Sequence, residues 1–453
     1  MADRIEQYEC SLTERSFLEL AQEFYGRYLI RLRETAKEDF DGLMQRAVES
    51  IARDQTTFRY SSGTGDLKQL RYILVDEYQD FSELFHRLVE AIKERNPRVE
   101  FFCVGDDWQA IYGWAGADLR FHREFDLLFA PQRQLKITKN YRSAKAIVDL
   151  SNALMLGQGT PGRARDDLQP GHALIADLAH FVPSAREEEL FKTDRLFPAV
   201  LRLVNRAIQA DKDVVLLSRT NSVPLYLMKA DSTADADRSL DEFLRRLRKH
   251  MRKIDRSRVT WSTVHKYKGL EKSVVVIIDG LEQRYPLIHP HWIFIRVFGT
   301  TLEDLIDEER RLLYVAMTRA VDWLFIVTEV ERRSPFLSPE VTDAAKYLFW
   351  ASCPPVLHWD NCVTIVASNL PDRPPESGTY PVHHLLSAED FGWRDVSEVW
   401  SKSVPSEGFD PKAYVDHAAW IPSADGVRVA FMDGSDATLA AWEIRNWRAT
   451  ATV

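Results

Sequence analysis

Residues 72–80 read YILVDEYQD: an apolar run that ends in paired carboxylates. A short run of this kind, followed by an amphipathic segment, is expected to be a buried strand feeding a helix. The helix is FSELFHRLVEAIKER (81–95), and VEFFCVGDD (99–107) is a second strand with a similar ending. Two strands joined through a helix form a parallel crossover unit. In open parallel sheets, ligands sit beyond the carboxyl ends of the strands. Asp76 and Glu77 stand there, and Gly105, Asp106, Asp107 and Gln109 follow the second strand. An Asp so placed can hold Mg²⁺ through water, and the adjacent Glu can orient or deprotonate a water. The competing account is that carboxylates simply cap strand ends in loops.

Outward from this unit, residues 11 to about 56 carry apolar positions at helical spacing, and SSGTGD (61–66) reads as a turn. On the other side come strand QLKIT and helix SAKAIVDLSNALM. Ser143 is the expected N-cap of that helix, with Ile147, Leu150 and Leu154 on one face. GQGTPGRARDDLQPG is a linker or surface loop. Strand DVVLLS, helix EFLRRLRKHMRKI, strands VTWSTV and SVVVIIDG, helix EERRLLYVAMTRA and strand WLFIVT follow. This alternation predicts an α/β fold with parallel sheets. From about Pro335 the texture changes, and seven of the 12 Trp lie between Trp350 and Trp447. A small β-leaning module is expected there.

The chain has 453 residues, enough for about three domains. At 45% hydrophobic and 28% charged, it is not globally disordered. Four Cys exclude a disulfide scaffold and point to a reducing compartment. No apolar run approaches the ~20 residues of a membrane span. MADRIEQYEC lacks a signal core, so the expected location is cytoplasmic. The net charge of −9 looks wrong for a nucleic-acid binder, but it is unevenly placed. Residues 338–453 hold 16 acidic and eight basic residues, a net of −8, so the first 337 carry only −1. Arg245 to Arg258 contains eight Lys or Arg, either a phosphate track or a solvated helix face. Cys353, His358 and Cys362 fit no standard zinc spacing.

LVDEYQD, VGDDWQAIYGWAGAD, NYRS, STVHKYKGLE and EERRLLYVAMTRA occur in that order. They resemble motifs II to VI of superfamily 1 DNA helicases of the UvrD/Rep type, and EDFDGLM resembles the helical segment before motif II. The resemblance covers roughly residues 37 to 330. It implies two RecA-like domains, with ATP between them and single-stranded DNA as partner. Carried over by motif, Asp76 coordinates Mg²⁺, Glu77 is the catalytic base and Gln109 contacts the γ-phosphate. Arg142 and Arg319 clamp the developing charge, work that suits a planar, permanently charged guanidinium. Tyr141, Gly269 and Glu271 fall to the nucleotide, with Glu271 on the ribose. Tyr112 and Trp114 would stack on bases, and Thr263 and His265 would lie near DNA. The family usually has Arg where this chain has Ala115, which removes one phosphate contact. Only about 40 residues separate LLSRTN from VTWSTVH, so the large inserted subdomain of UvrD-type enzymes is reduced or absent, as in helicase IV relatives.

These residues contain no G-x-x-x-x-G-K-[ST], the loop whose backbone N–H groups cradle phosphates. SGTGDLKQ and GQGTPGRARD have glycines but neither ends in Gly-Lys-Ser/Thr. The expectation is therefore a 3′–5′ helicase by resemblance, inactive as this isolated chain. The alternatives are a non-catalytic DNA- or partner-binding scaffold, or half of a split enzyme whose partner bears the P-loop. The expected organisation is a helical segment (1–62), a partial first RecA-like domain (63–132), a second RecA-like domain (133–335) and an acidic, Trp-rich, protein-contacting module (336–453).

Overall fold

The computed structural model describes residues 11–129, 132–165, 170–223, 239–289, 292, 300–355, 362–373, 377–394, 397–406, 408–433 and 437–452. The chain forms two compact units. One comprises Met1–Thr138, Leu154–Pro161 and Tyr285–Val315; the other comprises Lys139–Ala153, Gly162–Arg284 and Ala316–Val453.

The first unit opens with helices Leu12–Glu34 and Phe40–Ala52, as their periodicity predicts. Ser11 and Glu14 form a reciprocal capping box on the first, and Asp39 Oδ1 accepts the Gly42 amide at 2.7 Å on the second. The segment expected to be only a turn is an antiparallel hairpin, β1 (Thr57–Tyr60) with β2 (Gly63–Asp66). Gly65 pairs with Phe58, and a Cβ on it would lie 2.5 Å from the Phe58 ring, so glycine here makes room for an aromatic neighbour. β3 (Tyr72–Val75), helix Glu83–Arg95 and β4 (Glu100–Cys103) form the crossover unit, with β3 and β4 parallel. Val75, Phe101 and Cys103 pack against Tyr78, Phe81, Val89 and Phe121. Tyr72, Leu74 and Phe102, on alternate positions, are exposed. Tyr285–Val315, expected in the second domain, belong to this unit: Arg311 Nε donates to the Ala110 carbonyl at 2.8 Å, and Tyr314 meets Trp108 edge-on at 5.2 Å.

QLKIT, read as a strand, forms no ladder. Pairing is confined to the two-residue strands β5 (Lys139–Asn140) and β6 (Arg163–Ala164), which run parallel. Ser143 does not cap helix Lys145–Leu154. The helix begins at Lys145, which puts Ser143 one residue before the N-cap position, and its hydroxyl donates to the Ala320 carbonyl at 2.7 Å. Ile147, Leu150 and Leu154 are buried as expected.

The second unit is built on a six-stranded parallel sheet, in the order β12-β7-β11-β10-β8-β9. Its strands are β7 (His172–Asp177), β8 (Val214–Ser218), β9 (Val259–Thr263), β10 (Lys272–Ile277), β11 (Ala320–Thr328) and β12 (Lys346–Tyr347). β8 and the apolar stretch of β10 are fully buried, as expected for strands covered on both faces. The sequence reading missed β7 and helix Leu196–Gln209, whose apolar side closes one face of the sheet. β12, Leu348, Trp350 and Cys353 also belong to this body, so it runs past the boundary expected at residue 335.

Beyond it lies a six-stranded antiparallel sheet, in the order β14-β15-β13-β16-β17-β18. The strands are β13 (Cys362–Asn369), β14 (Gly392–Arg394), β15 (Val399–Pro405), β16 (Val427–Met432), β17 (Thr438–Arg445) and β18 (Arg448–Ala451). Trp420, Ile365, Val429 and Phe431 form its core. The whole is therefore α/β, with parallel sheets and a small C-terminal β module. Among the described residues, no helix is long and apolar enough to cross a membrane.

Candidate functional site

The carboxylates stand where β3 stops. Asp76 Oδ1 accepts the Glu77 amide at 2.9 Å, and Glu77 sits at φ +51 in the left-handed region. Such a backbone is uncommon for a residue with a side chain and persists only where its surroundings hold it. Here the carbonyls of Glu77 and Tyr78 are tied into a tight turn by the amides of Asp80 and Phe81, at 2.8 and 3.1 Å. The Tyr78 amide donates to the Val104 carbonyl at 2.8 Å, which joins the turn to the end of β4.

Gln79 was not singled out from the sequence, yet it organises this loop. It is 1% exposed; its Nε2 donates to the Glu77 carboxylate and its Oε1 accepts the Asp106 amide at 2.9 Å. Asp106 in turn accepts from the Trp108 amide at 3.1 Å and from Gln109 Nε2 at 2.6 Å. Burial raises the Asp106 pKa, and these hydrogen bonds oppose that shift. Glu77, Gln79, Asp106 and Gln109 thus form one hydrogen-bonded chain across two strand ends. Gly105 permits it: a Cβ there would lie 2.8 Å from Gln79 Oε1 and 3.0 Å from its backbone nitrogen. An amide donates and accepts at once, and that dual capacity two residues after Glu77 was the available signal.

Tyr112 and Trp114 follow on the same loop. Their rings meet edge-on at 6.3 Å, and Trp114 is 74% exposed. The loop is fixed by the Gly113 amide donating to Glu308 Oε1 at 3.2 Å and by the buried Trp108 indole donating to the Gln158 carbonyl. A rigid loop presenting an exposed indole suits stacking on flat ligands.

In the second unit, Arg142, Glu271 and Arg319 lie together at the amino ends of β10 and β11. Arg142 Nε donates to Glu271 Oε2 at 2.7 Å, and its Nη1 to the Thr318 carbonyl at 3.4 Å. Arg319 is 1% exposed and donates to the Leu270 carbonyl at 3.5 Å and to Thr318 Oγ1 at 3.2 Å. Asn140 Oδ1 accepts the amides of Arg142 and Ser143, both at 2.9 Å, which sets the Arg142 backbone. Gly269, at φ +84, has open space around it. Tyr141 is exposed, with Lys139 and Arg165 near its ring. Thr263 ends β9 and is buried. His265 follows it, and burial beside Arg219 pushes its pKa down to about 4, so the ring is neutral at physiological pH.

Among the described residues, no group of three or more His, Cys, Asp or Glu could hold a metal. Cys353 is buried in the core of the parallel sheet and Cys362 lies on β13, while His358 is outside the described residues. Asp76, an exposed carboxylate at a strand end, fits a hydrated magnesium ion, which usually takes only one or two protein carboxylates and keeps several waters.

Comparison with known proteins places this geometry. Residues 4–130 match the UvrD/REP helicase N-terminal domain and residues 225–331 the UvrD-like helicase C-terminal domain. DNA helicase IV of Escherichia coli K12 is 26% identical over 304 residues, covering 66% of this chain and 38% of that protein. The ATP-dependent DNA helicase PcrA of Leuconostoc citreum is 29% identical over 143 residues, covering 31% of this chain and 18% of that protein. PcrA of Staphylococcus epidermidis is 30% identical over 131 residues, covering 29% and 17%. The chain spans less than half the length of each of these relatives. With matches to both helicase domains, and with its α/β units carrying the expected motifs at their strand ends and loops, the chain belongs to the UvrD-like superfamily 1 helicases.

Proposed function

We propose that the chain is the motor region of an ATP-dependent DNA helicase that translocates 3′ to 5′ on single-stranded DNA. The observation that carries this reading is the hydrogen-bonded chain from Glu77 through Gln79 and Asp106 to Gln109. It ties a residue suited to activating water to one suited to sensing a terminal phosphate, and Gln109 leads within three residues to Tyr112 on the stacking loop. Asp76 would hold Mg²⁺, which when bound offsets phosphate charge. Glu77 accepts the proton of the attacking water, and Gln79 fixes its carboxylate. Arg142 and Arg319 stabilise charge on the transferring phosphoryl group, and Glu271, Tyr141 and Gly269 bound the nucleoside. Tyr112 and Trp114 stack on bases, while Thr263 and His265 contact the strand.

Positioning supplies most of the rate in phosphoryl transfer, and these 453 residues contain no G-x-x-x-x-G-K-[ST]. The 453-residue chain alone should therefore show no DNA-stimulated ATP hydrolysis above background. Fusing a segment with that motif upstream should produce it, and Glu77→Gln should abolish it. Turnover by the 453-residue chain that is lost in Glu77→Gln would overturn the requirement for the motif. Absence of turnover from the fusion would favour a non-catalytic DNA-binding scaffold.

A further inference from the structure

Seven of the eight cations of residues 245–258 fall into two sets. Arg252 pairs with Asp255 at 2.8 Å, Arg258 with Asp211 and Asp213 at 2.9 and 3.0 Å, and Arg246 lies over the Phe197 ring at 4.7 Å. Arg246 and Arg258 tie the segment to neighbouring elements of the second unit, and Arg252 braces the segment internally. Arg245, Arg248, Lys249 and Arg256 instead line one cavity of about 390 Å³, with Asp241 and Leu244. Arg245, Arg248 and Lys249 share one face of helix Leu240–Lys249 by their spacing, and Arg256 comes from the following turn.

The hydrogen bonds within this cavity leave donors to spare. Arg248 Nη2 donates to the Val259 carbonyl at 2.6 Å and Arg256 Nε to the Met251 carbonyl at 3.2 Å. A guanidinium has five N–H groups, so each bond uses a fraction of the supply. Two carboxylates sit among the four cations. Asp241 accepts the Trp261 indole N–H at 2.8 Å, and Glu242 pairs with Arg245 at 2.6 Å. The cluster keeps a net charge of +2 within a chain of net −9. Holding four cations around one opening adds like-charge repulsion that a bound polyanion relieves.

Its place in the fold identifies the polyanion. The cavity adjoins β9, the edge strand of the parallel sheet, and Arg248 grips the carbonyl of its first residue. Thr263 ends the same strand four residues on, roughly 13 Å away at ~3.3 Å per residue. That separation is within reach of a few consecutive phosphates of one strand. Trp261, the aromatic ring beside the cavity, is tethered to Asp241 and packs against the core, so no free ring is offered to a base. We propose that Arg245, Arg248, Lys249 and Arg256 form a second DNA contact, which takes the phosphodiester backbone without regard to base or strandedness. The proposal rests on the DNA-binding part of the function above, and on none of its ATP chemistry.

Fluorescence anisotropy of the 453-residue chain with labelled oligo-dT and with a labelled duplex, each at two salt concentrations, tests it. The exposed pair Arg245→Glu, Lys249→Glu should weaken both ligands by about ten-fold or more and lower the salt slope by roughly two contacts. Tyr112→Ala, Trp114→Ala should weaken oligo-dT and spare the duplex. If the parent binds DNA and the charge-reversed variant matches it in affinity and salt slope, the groove inference fails while DNA binding stands. If the parent binds neither ligand, the DNA reading itself fails. A polyglutamate peptide that displaces the duplex at lower charge concentration than DNA does would assign the groove to an acidic protein and overturn the proposal. Matched unfolding curves for parent and variant separate lost contact from lost fold.

Discussion

Gln79 bridges Glu77 to Asp106: its side-chain amide donates to the Glu77 carboxylate, and its carbonyl oxygen accepts the Asp106 backbone amide at 2.9 Å. Because Gln79 is buried, truncation strands a donor where water cannot replace its partner. Gln79→Ala should cost about 1–3 kcal/mol in urea unfolding. Gly105→Ala should cost a similar ~1–3 kcal/mol, because the new methyl meets the Gln79 backbone nitrogen at 3.0 Å, and backbone yields poorly. Parent-like midpoints for both variants would show that the bridge does not hold the loop.

Some of this was legible in the sequence and some was not, for identifiable reasons. β3, β4 and the helix between them follow from local pattern, because YILV and FFCV are apolar runs with an amphipathic segment between them. GTGD looked like a turn because its glycines are locally turn-forming; it pairs because Phe58 needs the space opposite Gly65. QLKIT has strand-like residues, but among the described residues no adjacent strand completes a ladder, and propensity cannot supply one. β7 and helix Leu196–Gln209 were overlooked beside the Gly- and Pro-rich loop that precedes them. The Gln79–Asp106 bridge spans 27 positions and the Arg142–Glu271 pair spans 129, so residue type was readable while partnership was not.

The Arg142–Glu271 pair allows activity to be separated from stability. Its side chains are 35% and 57% exposed, and pairs so placed contribute roughly 0–1 kcal/mol. Arg142→Ala and Glu271→Gln should therefore shift unfolding midpoints little. In the P-loop-bearing fusion, Arg142→Ala should lower kcat by about 10³-fold or more, as loss of a charge-clamping arginine does. Glu271→Gln should act mainly on KM for ATP. Arg319 is a poorer probe, because it is buried and its loss should damage folding as well as chemistry. Equal kcat in parent and Arg142→Ala would remove Arg142 from the reaction.

His265 should leave a mark on acid stability. Its pKa is lowered to about 4 by burial, with Arg219 adding repulsion, against an ordinary value near 6.5. Between these values the unfolded chain binds a proton that the folded chain refuses. Stability should be full above pH 6.5, fall as pH drops from 6.5 toward 4, and lose nothing further to this residue below that. His265→Asn should flatten this limb, measured as the urea midpoint at pH 7.5 and 4.5 relative to the parent. DNA affinity should show no step owed to His265 between pH 6 and 8, since the ring stays neutral there. A parent and variant that lose equal stability on acidification would refute the assignment.

The acidic C-terminal region should be removable without loss of DNA binding, provided the cut respects the sheet. A cut at residue 338 removes β12 from the edge of β7 and takes Leu348, Trp350 and Cys353 out of the core. It also removes the Trp350 indole that donates to the Asp177 carbonyl at 2.9 Å. That truncation should lose cooperative unfolding. A cut after residue 355 keeps all of these and removes the antiparallel module, at the cost of contacts such as Arg394 to the Ile208 carbonyl. Residues 356–453 hold 14 acidic and seven basic residues, a net of −7. Such charge repels phosphates over a Debye length of about 8 Å at physiological salt. The chain ending at residue 355 should therefore unfold cooperatively and bind oligo-dT as tightly as the parent or more tightly, with the gain shrinking as salt rises. A folded truncation that binds DNA much more weakly would make the β module part of the DNA site.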